Sequence, residues 1–333
     1  MQDITVGGGP TPPANDAPVD MNGDGKSDYV VVRSAGGQSG QITWWTMFSA
    51  IAPIPAPSEE QALAAPSDGA PTTPTNWGVS TDFFVPADYD GDGKDDFAVW
   101  RPGPNAVFYI VRSATATMYT EQFGQTGDDP TVVGDYTGDN RDDIAVYRDG
   151  TNPGDQSTWF YRSIGSPPGV QSIPWGQSGD TPAPGDYDGD SKYDFVIQRP
   201  DSNGVNGRFW VREADGLQYS QWFGLANDSV VPGDYDDDGK TDFAVARNDN
   251  GTIRWDFEPS GTAGVTVVTD TWGVTATDTI AQADHDGDGK TEYVVWRPGS
   301  PGVFYVMTPV TRRIWTQPWG MTGDIAVANY NEH

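Results

Sequence analysis

The nonapeptide Asp20-Met-Asn-Gly-Asp-Gly-Lys-Ser-Asp28 is followed at once by a short apolar strand sequence. Runs of the same form begin at Asp88, Asp135, Asp186, Asp234 and Asp284. Each run places oxygen-bearing side chains at positions 1, 3, 5 and 9, and glycine at position 4 or 6 lets the backbone curl around. Oxygen ligands in a tight loop are what a hard cation such as Ca²⁺ requires.

The spacing of the loops predicts the fold. From one first Asp to the next, the intervals are 68, 47, 51, 48 and 50 residues. A period near 50 that is made of short strands is typical of a β-propeller blade. Each unit predicts four strands, with the acidic loop between the first and the second. We therefore expect an all-β propeller of six four-stranded blades, with seven blades as the alternative.

Further registers support the repeat. An arginine lies 13 residues after the first Asp of every loop, at Arg33, Arg101, Arg148, Arg199, Arg247 and Arg297. An aromatic-glycine step closes every unit, at Trp77, Phe123, Trp175, Phe223, Trp272 and Trp319. An aspartate recurs just after that step, at Asp82, Asp128, Asp180, Asp228, Asp278 and Asp324. We expect one arginine-carboxylate ion pair in each blade, in preference to an electropositive ring of arginines around an anionic ligand.

The domain organisation follows from the repeat. We expect an N-terminal tail or linker over residues 1–15 and a single propeller domain over 16–333. The long first interval predicts an insertion in blade one over about 50–74. Residues 324–333 restart the repeat, and this C-terminal strand either closes the ring, fills an edge or begins a longer array.

Composition restricts the partners and the compartment. The chain has 48 acidic and 19 basic residues in 333, a formal charge of -29, which argues against nucleic acid or an anionic membrane as a partner. There is no cysteine, and no apolar run is long enough to span a membrane. The N-terminal residues do not resemble a signal peptide. Because such loops bind calcium at extracellular concentrations, we expect a secreted or cell-surface protein, with a monomer favoured.

These features resemble the FG-GAP and VCBS repeat family, the calcium-loop propellers of integrin alpha subunits and secreted bacterial proteins. The landmarks are Phe123-Gly or Trp175-Gly, followed by Gly185-Asp-Tyr-Asp-Gly-Asp190. The resemblance implies side-chain ligands at positions 1, 3, 5 and 9 and a backbone carbonyl at position 7. The implied ligands are Asp20, Asn22, Asp24, Lys26, Asp28; Asp88, Asp90, Asp92, Lys94, Asp96; Asp135, Thr137, Asp139, Arg141, Asp143; Asp186, Asp188, Asp190, Lys192, Asp194; Asp234, Asp236, Asp238, Lys240, Asp242; and Asp284, Asp286, Asp288, Lys290, Glu292.

We expect five to six calcium ions, with the third loop as the weakest or an empty site. Its Thr137 offers only a hydroxyl, and Asn140 stands where glycine usually allows the turn. An EF-hand is excluded, because it needs a bidentate Glu at position 12 between helices. Position 12 here is Val32, Trp100, Tyr147, Gln198, Ala246 or Trp296, inside apolar strand sequence.

Most tryptophans recur at repeat positions and are expected in the core. Trp100 and Trp296 are the candidate ligand-binding residues, since other blades carry different residues there, and burial against the next blade is the alternative. No serine-histidine-aspartate set, phosphate loop or zinc cluster is visible, so no catalytic residue is predicted. The sequence favours a binding or adhesion module for an extracellular glycan or protein. The alternatives are a lyase-like polysaccharide-active enzyme and a passive structural or assembly module.

Overall fold

The computed structural model describes residues 19–36, 40–49, 71–165, 169–260 and 267–328. The predicted tail over 1–15, residues 50–70 of the predicted insertion and the last residues 329–333 lie outside this part of the chain. The described residues form 24 strands in six four-stranded sheets, and none of them is in an α-helix. The protein is a six-bladed β-propeller, as predicted.

The first three blades comprise eleven consecutive strands and the last strand of the chain. Blade one has the strands β1 (Tyr29–Ser34), β2 (Gln41–Met47), β3 (Thr75–Val79) and β24 (Ile325–Val327). Blade two has β4 (Phe83–Phe84), β5 (Phe97–Arg101), β6 (Val107–Val111) and β7 (Met118–Gln122). Blade three has β8 (Asp128–Asp129), β9 (Ile144–Arg148), β10 (Gln156–Arg162) and β11 (Gln171–Gln177).

The other three blades follow in chain order. Blade four has β12 (Thr181–Pro182), β13 (Phe195–Pro200), β14 (Asn206–Arg212) and β15 (Gln218–Leu225). Blade five has β16 (Ser229–Val230), β17 (Phe243–Asp249), β18 (Thr252–Glu258) and β19 (Val268–Val274). Blade six has β20 (Thr279–Ile280), β21 (Tyr293–Arg297), β22 (Val303–Met307) and β23 (Ile314–Pro318).

The ring closes through the C-terminal strand. Strand β24 pairs antiparallel with β1, with Val327 opposite Val30 and Ile325 opposite Val32. It takes the innermost place in blade one, which the chain's own order would leave empty. The two ends of the described chain therefore meet in one sheet.

Six apolar clusters fill the spaces between consecutive blades, one at each junction of the ring. The side chains in the middle of each blade alternate between the two neighbouring clusters, as the two-residue period of a strand requires. Trp44, Trp159 and Trp255 are buried at equivalent places in the third strand from the centre of their blades. The core is thus a circle of wedges that holds the blades together.

The innermost strands are only two or three residues long and surround a cavity of about 690 Å³. Side chains from five of the blades line it, among them Phe83, Thr131, Thr181, Val231 and Ile280. The inner strands of these blades therefore line a central channel.

Trp100 and Trp296, the two candidate ligand-binding residues, are both buried. Trp100 is 0% exposed and Trp296 is 3% exposed. Their indole Nε1 atoms donate to the carbonyl oxygens of Phe123 at 2.9 Å and Trp319 at 3.1 Å. Their position varies between blades because each apolar wedge is filled by a different combination of side chains, and both tryptophans pack in a wedge shared with the next blade.

The predicted ion pairs are present in all six blades. In blade two, Arg101 Nε and Nη2 donate to the two carboxylate oxygens of Asp82 at 2.7 and 2.8 Å. The other pairs with this geometry are Arg148–Asp128, Arg199–Asp180, Arg247–Asp228, Arg297–Asp278 and Arg33–Asp324. Each pair joins the start of an inner strand to the end of the second strand, at the rim opposite the acidic loops. The Arg33–Asp324 pair joins the closing strand to β1.

Candidate metal centres

All six acidic loops have the same backbone turn. Positions 4 and 6 have positive φ in every loop, including the three that carry a residue other than glycine there: Asn140 (58°), Ser191 (65°) and Asp237 (63°). An L side chain rarely adopts this conformation, so something must hold the turn at these positions.

The aspartate at position 1 supplies this support. Asp20 Oδ1 accepts from Gly23 N and its Oδ2 accepts from Gly25 N, both at 2.7 Å. The same two bonds from positions 4 and 6 recur at Asp88, Asp135, Asp186, Asp234 and Asp284, over 2.6–2.9 Å. One carboxylate thus forms the base of each loop.

The acid at position 9 is buried in every loop, with at most 2% of the residue exposed. It immediately precedes the second strand. In loops one, four and five its carboxylate accepts backbone N–H groups both from position 2 and from just beyond the third strand. Asp242, for example, accepts from Tyr235 N at 3.0 Å and from Ser260 N at 2.7 Å. Burial, reinforced by the neighbouring carboxylates, raises the pKa of Asp242 to about 8 and that of Asp96 to about 7. A nearby cation would keep these groups ionised.

The third strand also contributes residues that the sequence analysis missed. Ser113 Oγ donates to Asp92 Oδ1 at 2.9 Å, and Ser260 Oγ donates to both oxygens of Asp238 at 2.9 and 2.7 Å. Ser163 does the same for Asp139 at 2.8 Å. The sequence feature that could have identified them is a serine just after the third strand. These hydroxyls orient the acid at position 5.

Four loops bring their acids close together. In loop six, Asp284, Asp286, Asp288 and Glu292 each place an oxygen within 4.8 Å of the others. Three acids meet this limit in the second, fourth and fifth loops: Asp88, Asp90, Asp92; Asp186, Asp188, Asp194; and Asp234, Asp236, Asp242. These four clusters could hold a metal ion, and their ligand atoms would all be oxygens.

The third loop is arranged differently. Arg141, at position 7, folds its guanidinium back so that Nη2 contacts Asp139 Oδ2 at 2.6 Å. Burial alone would raise the pKa of Asp139, but the hydrogen bonds from Arg141 and Ser163 outweigh it and lower that pKa. A cationic side chain of the protein therefore already neutralises one acid of this loop, in agreement with the predicted weakness of the site.

The first loop replaces one acid by Asn22. Its amide Nδ2 lies 3.3 and 3.4 Å from the two oxygens of Asp28. The amide nitrogen therefore faces the position 9 acid, and the amide must rotate to present its oxygen to a cation.

The loops are also joined to one another around the ring. The backbone N–H at position 8 of each loop donates to the carbonyl at position 1 of the preceding loop. The bonds are Ser27–Asp284, Asp95–Asp20, Asp142–Asp88, Tyr193–Asp135, Thr241–Asp186 and Thr291–Asp234, at 2.6–2.8 Å. Lys26 and Lys290 reach further and donate to the position 3 carbonyls of Asp286 and Asp236 at 2.8 and 2.7 Å. The six loops thus form one continuous hydrogen-bonded rim.

Comparison with known proteins agrees with this architecture. The model of the FG-GAP-like repeat family matches residues 88–146, which contain the second and third loops and the strands between them. No curated protein matches the chain. No helix in the described part of the chain is long and apolar enough to cross a membrane. Because the matched loop-and-strand unit recurs in all six blades, the chain is a six-bladed β-propeller built of FG-GAP-like repeats.

Proposed function

We propose that this propeller is a secreted binding or adhesion module for an extracellular glycan or protein, and that calcium ions in its acidic loops stabilise the ring. The observation that carries the metal assignment is a set of buried carboxylate oxygens without a hydrogen-bond partner among the described residues. They are Asp90 Oδ1, Asp96 Oδ2, Asp139 Oδ1, Asp236 Oδ1, Asp286 Oδ1 and Glu292 Oε1, all at predicted ligand positions. A buried carboxylate oxygen without a partner is costly, and a cation removes that cost.

The residues fit calcium better than a transition metal. The clusters contain carboxylates without histidine or cysteine, and Ca²⁺ prefers oxygen ligands in flexible numbers. The proposed ligands are the side chains at positions 1, 3, 5 and 9 and the carbonyl at position 7. When bound, the ion would neutralise the clustered acids and join the first and second strands of its blade.

The rim-wide hydrogen bonds explain how such an ion would stabilise more than its own loop. The residue at position 1, whose side chain is a proposed ligand, also accepts at its backbone carbonyl the hydrogen bond from the position 8 N–H of the next loop. An ion that fixes position 1 therefore also fixes the junction between two blades. The opposite rim is free of the acidic loops, so a ligand can bind there without displacing the ions. This division supports a binding role on a calcium-stabilised scaffold.

Calcium counting by native mass spectrometry tests the metal assignment. We expect at least four ions per chain at millimolar calcium, one for each clustered loop, and one ion fewer in the Glu292→Gln variant. Asp149→Asn, which changes an acid outside the loops, is the matched control and should retain the full number. Binding of fewer than one ion per chain, or an unchanged count in Glu292→Gln, would contradict the proposal.

A further inference from the structure

A groove of about 610 Å³ lies at the junction of blades four and five, at the rim opposite the acidic loops. Asp201, Asn206, Trp222, Leu225, Arg247 and Asp256 are among the residues that line it. A site that acts once in a repeat protein is expected where one copy departs from the others. Three such departures meet at this groove.

The first departure is Asp256. In the other five blades, the guanidinium of the register arginine lies over an aromatic ring of the third strand, at 4.6–5.3 Å from its centroid. The rings belong to Trp45, Tyr109, Phe160, Trp210 and Tyr305. In blade five this position is Asp256, which is 4% exposed and pairs with Arg247 at 2.9 Å and with Arg254 at 3.0 Å. The exchange of a ring for a carboxylate leaves space beside Arg247.

The second departure is Phe223. At four junctions the tryptophan of the aromatic-glycine step donates its indole N–H to a third-strand carbonyl of the next blade: Trp77 to Tyr109, Trp175 to Trp210, Trp272 to Tyr305 and Trp319 to Trp45. Phe123 and Phe223 cannot make this bond. At the junction after Phe123, the ring of Phe160 is still present. Within the described residues, only the junction of blades four and five lacks both the indole bond and the ring.

The third departure is Trp222. The residue before the aromatic-glycine step is Asn76, Gln122, Pro174, Thr271 or Pro318 in the other blades. Trp222 is 54% exposed, and its Nε1 makes no hydrogen bond with the described residues. Arg208 lies 4.8 Å from the ring centroid and so orients the indole. A large aromatic side chain is thus held in solvent at the wall of the groove.

Polar groups with unused hydrogen-bonding capacity accompany this ring. Arg247 uses Nε and Nη2 for its carboxylate partners, and its Nη1 donates no bond within the described residues. Asn206 donates from Nδ2 to Asp201 at 2.8 Å, which fixes the amide plane and leaves Oδ1 as an acceptor. The groove therefore offers a donor, an acceptor and an aromatic surface, and its buried acid, Asp256, is paired with Arg247 and Arg254.

We propose that this groove binds a neutral pyranose unit of a glycan. The C–H face of a pyranose ring packs on an indole, while its hydroxyl groups both donate and accept hydrogen bonds with planar polar side chains. A concave site with an aromatic wall and a few fixed polar groups has the usual form of a small-molecule site. This inference rests on the proposed binding function and names its ligand class and its location.

A glycan array probed with the calcium-saturated chain tests the inference, followed by calorimetric titration of the best neutral ligand. Trp222→Ala should weaken binding at least about tenfold, since the stacking surface is lost. Asp256→Tyr restores the ring found in the other blades, so it should fill the groove and weaken binding to a similar extent while the melting temperature is maintained. Tyr219→Ala removes another exposed aromatic residue of β15 that does not line the groove, and it should change the affinity less than twofold.

The outcomes separate this inference from the proposed function. If the chain binds glycans and the Trp222→Ala variant binds them equally well, the groove is not the glycan site, and the proposed binding function stands. If the chain binds no glycan on the array, the proposed ligand class is wrong. A protein ligand and the calcium count are not affected by that result. Should Asp256→Tyr fail to fold, the comparison of Trp222→Ala with Tyr219→Ala still decides.

Discussion

The ion pair between Arg33 and Asp324 holds the closing strand in place, and its removal should measurably weaken the ring. Nε and Nη2 of Arg33 contact the two oxygens of Asp324 at 2.6 and 2.8 Å. The Asp324 side chain is 1% exposed and that of Arg33 is 29% exposed. Asp324→Asn replaces a carboxylate oxygen by an amide that cannot accept from the guanidinium.

The expected cost follows from this burial. Removal of one partner of a fully buried pair costs about 3–5 kcal/mol, whereas exposed pairs contribute about 0–1 kcal/mol. Because water still reaches Arg33, we expect a loss of about 2–3 kcal/mol in the free energy of unfolding. Asp180→Asn is the matched variant, since the Arg199–Asp180 pair has side-chain exposures of 27% and 1% and joins β12 and β13, which follow each other in the chain.

Chemical denaturation in calcium-containing buffer measures both variants, and hydrogen exchange distinguishes them. Both should lose similar stability, but only Asp324→Asn should accelerate exchange in residues 30–32, where β24 pairs with β1 over three residues. A loss below about 0.5 kcal/mol in both variants would refute the energetic reasoning. Equal hydrogen-exchange rates at residues 30–32 in the two variants would refute the role of the Arg33–Asp324 pair in ring closure.

Three further predictions concern the loops. Tyr89→Phe should lower the free energy of unfolding by about 1–2 kcal/mol, because the Tyr89 hydroxyl donates to the buried Val85 carbonyl at 2.8 Å. Chemical denaturation measures this loss, with the exposed Tyr219→Phe as the control variant. Arg141→Lys should release Asp139 from its ion pair and so increase the calcium affinity of the third loop, as measured by calorimetric titration. An unchanged calcium titration would contradict the inference that Arg141 weakens this site. In excess chelator, the free energy of unfolding should fall as the pH rises from about 4 to 8. Burial raises the pKa of Asp28 and Asp242 to about 8, so the folded chain keeps protons that the unfolded chain, with a carboxyl pKa near 3.8, has released. A gain in melting temperature over this pH range would contradict the prediction.

The blade count and the ion pairs could be predicted because both depend on positions within one repeat. Arg101 and Asp82, for example, are fixed by their distance from the loop, and the strand register then brings them together. The same argument holds for the turn at positions 4 and 6, where the backbone of the third loop adopts the shared conformation in spite of Asn140.

Features that depend on two neighbouring blades could not be predicted. Trp100 and Trp296 stand at positions that vary in residue type, but they are buried, since the apolar wedge is shared with the next blade. The hydrogen bonds between loops join backbone atoms and leave no trace in the side-chain pattern. The groove beside Trp222 arises because Asp256, in the next blade, is smaller than the ring it replaces.

The most direct test of the account is the melting temperature of the purified chain in 1 mM calcium and in excess chelator. With an affinity of about 0.1 mM, each ion stabilises the folded state by about 1.4 kcal/mol, so four ions contribute about 6 kcal/mol. We expect the chelator to lower the melting temperature by roughly 10 °C. An unchanged melting temperature would contradict the claim that metal ions in the acidic loops stabilise the ring.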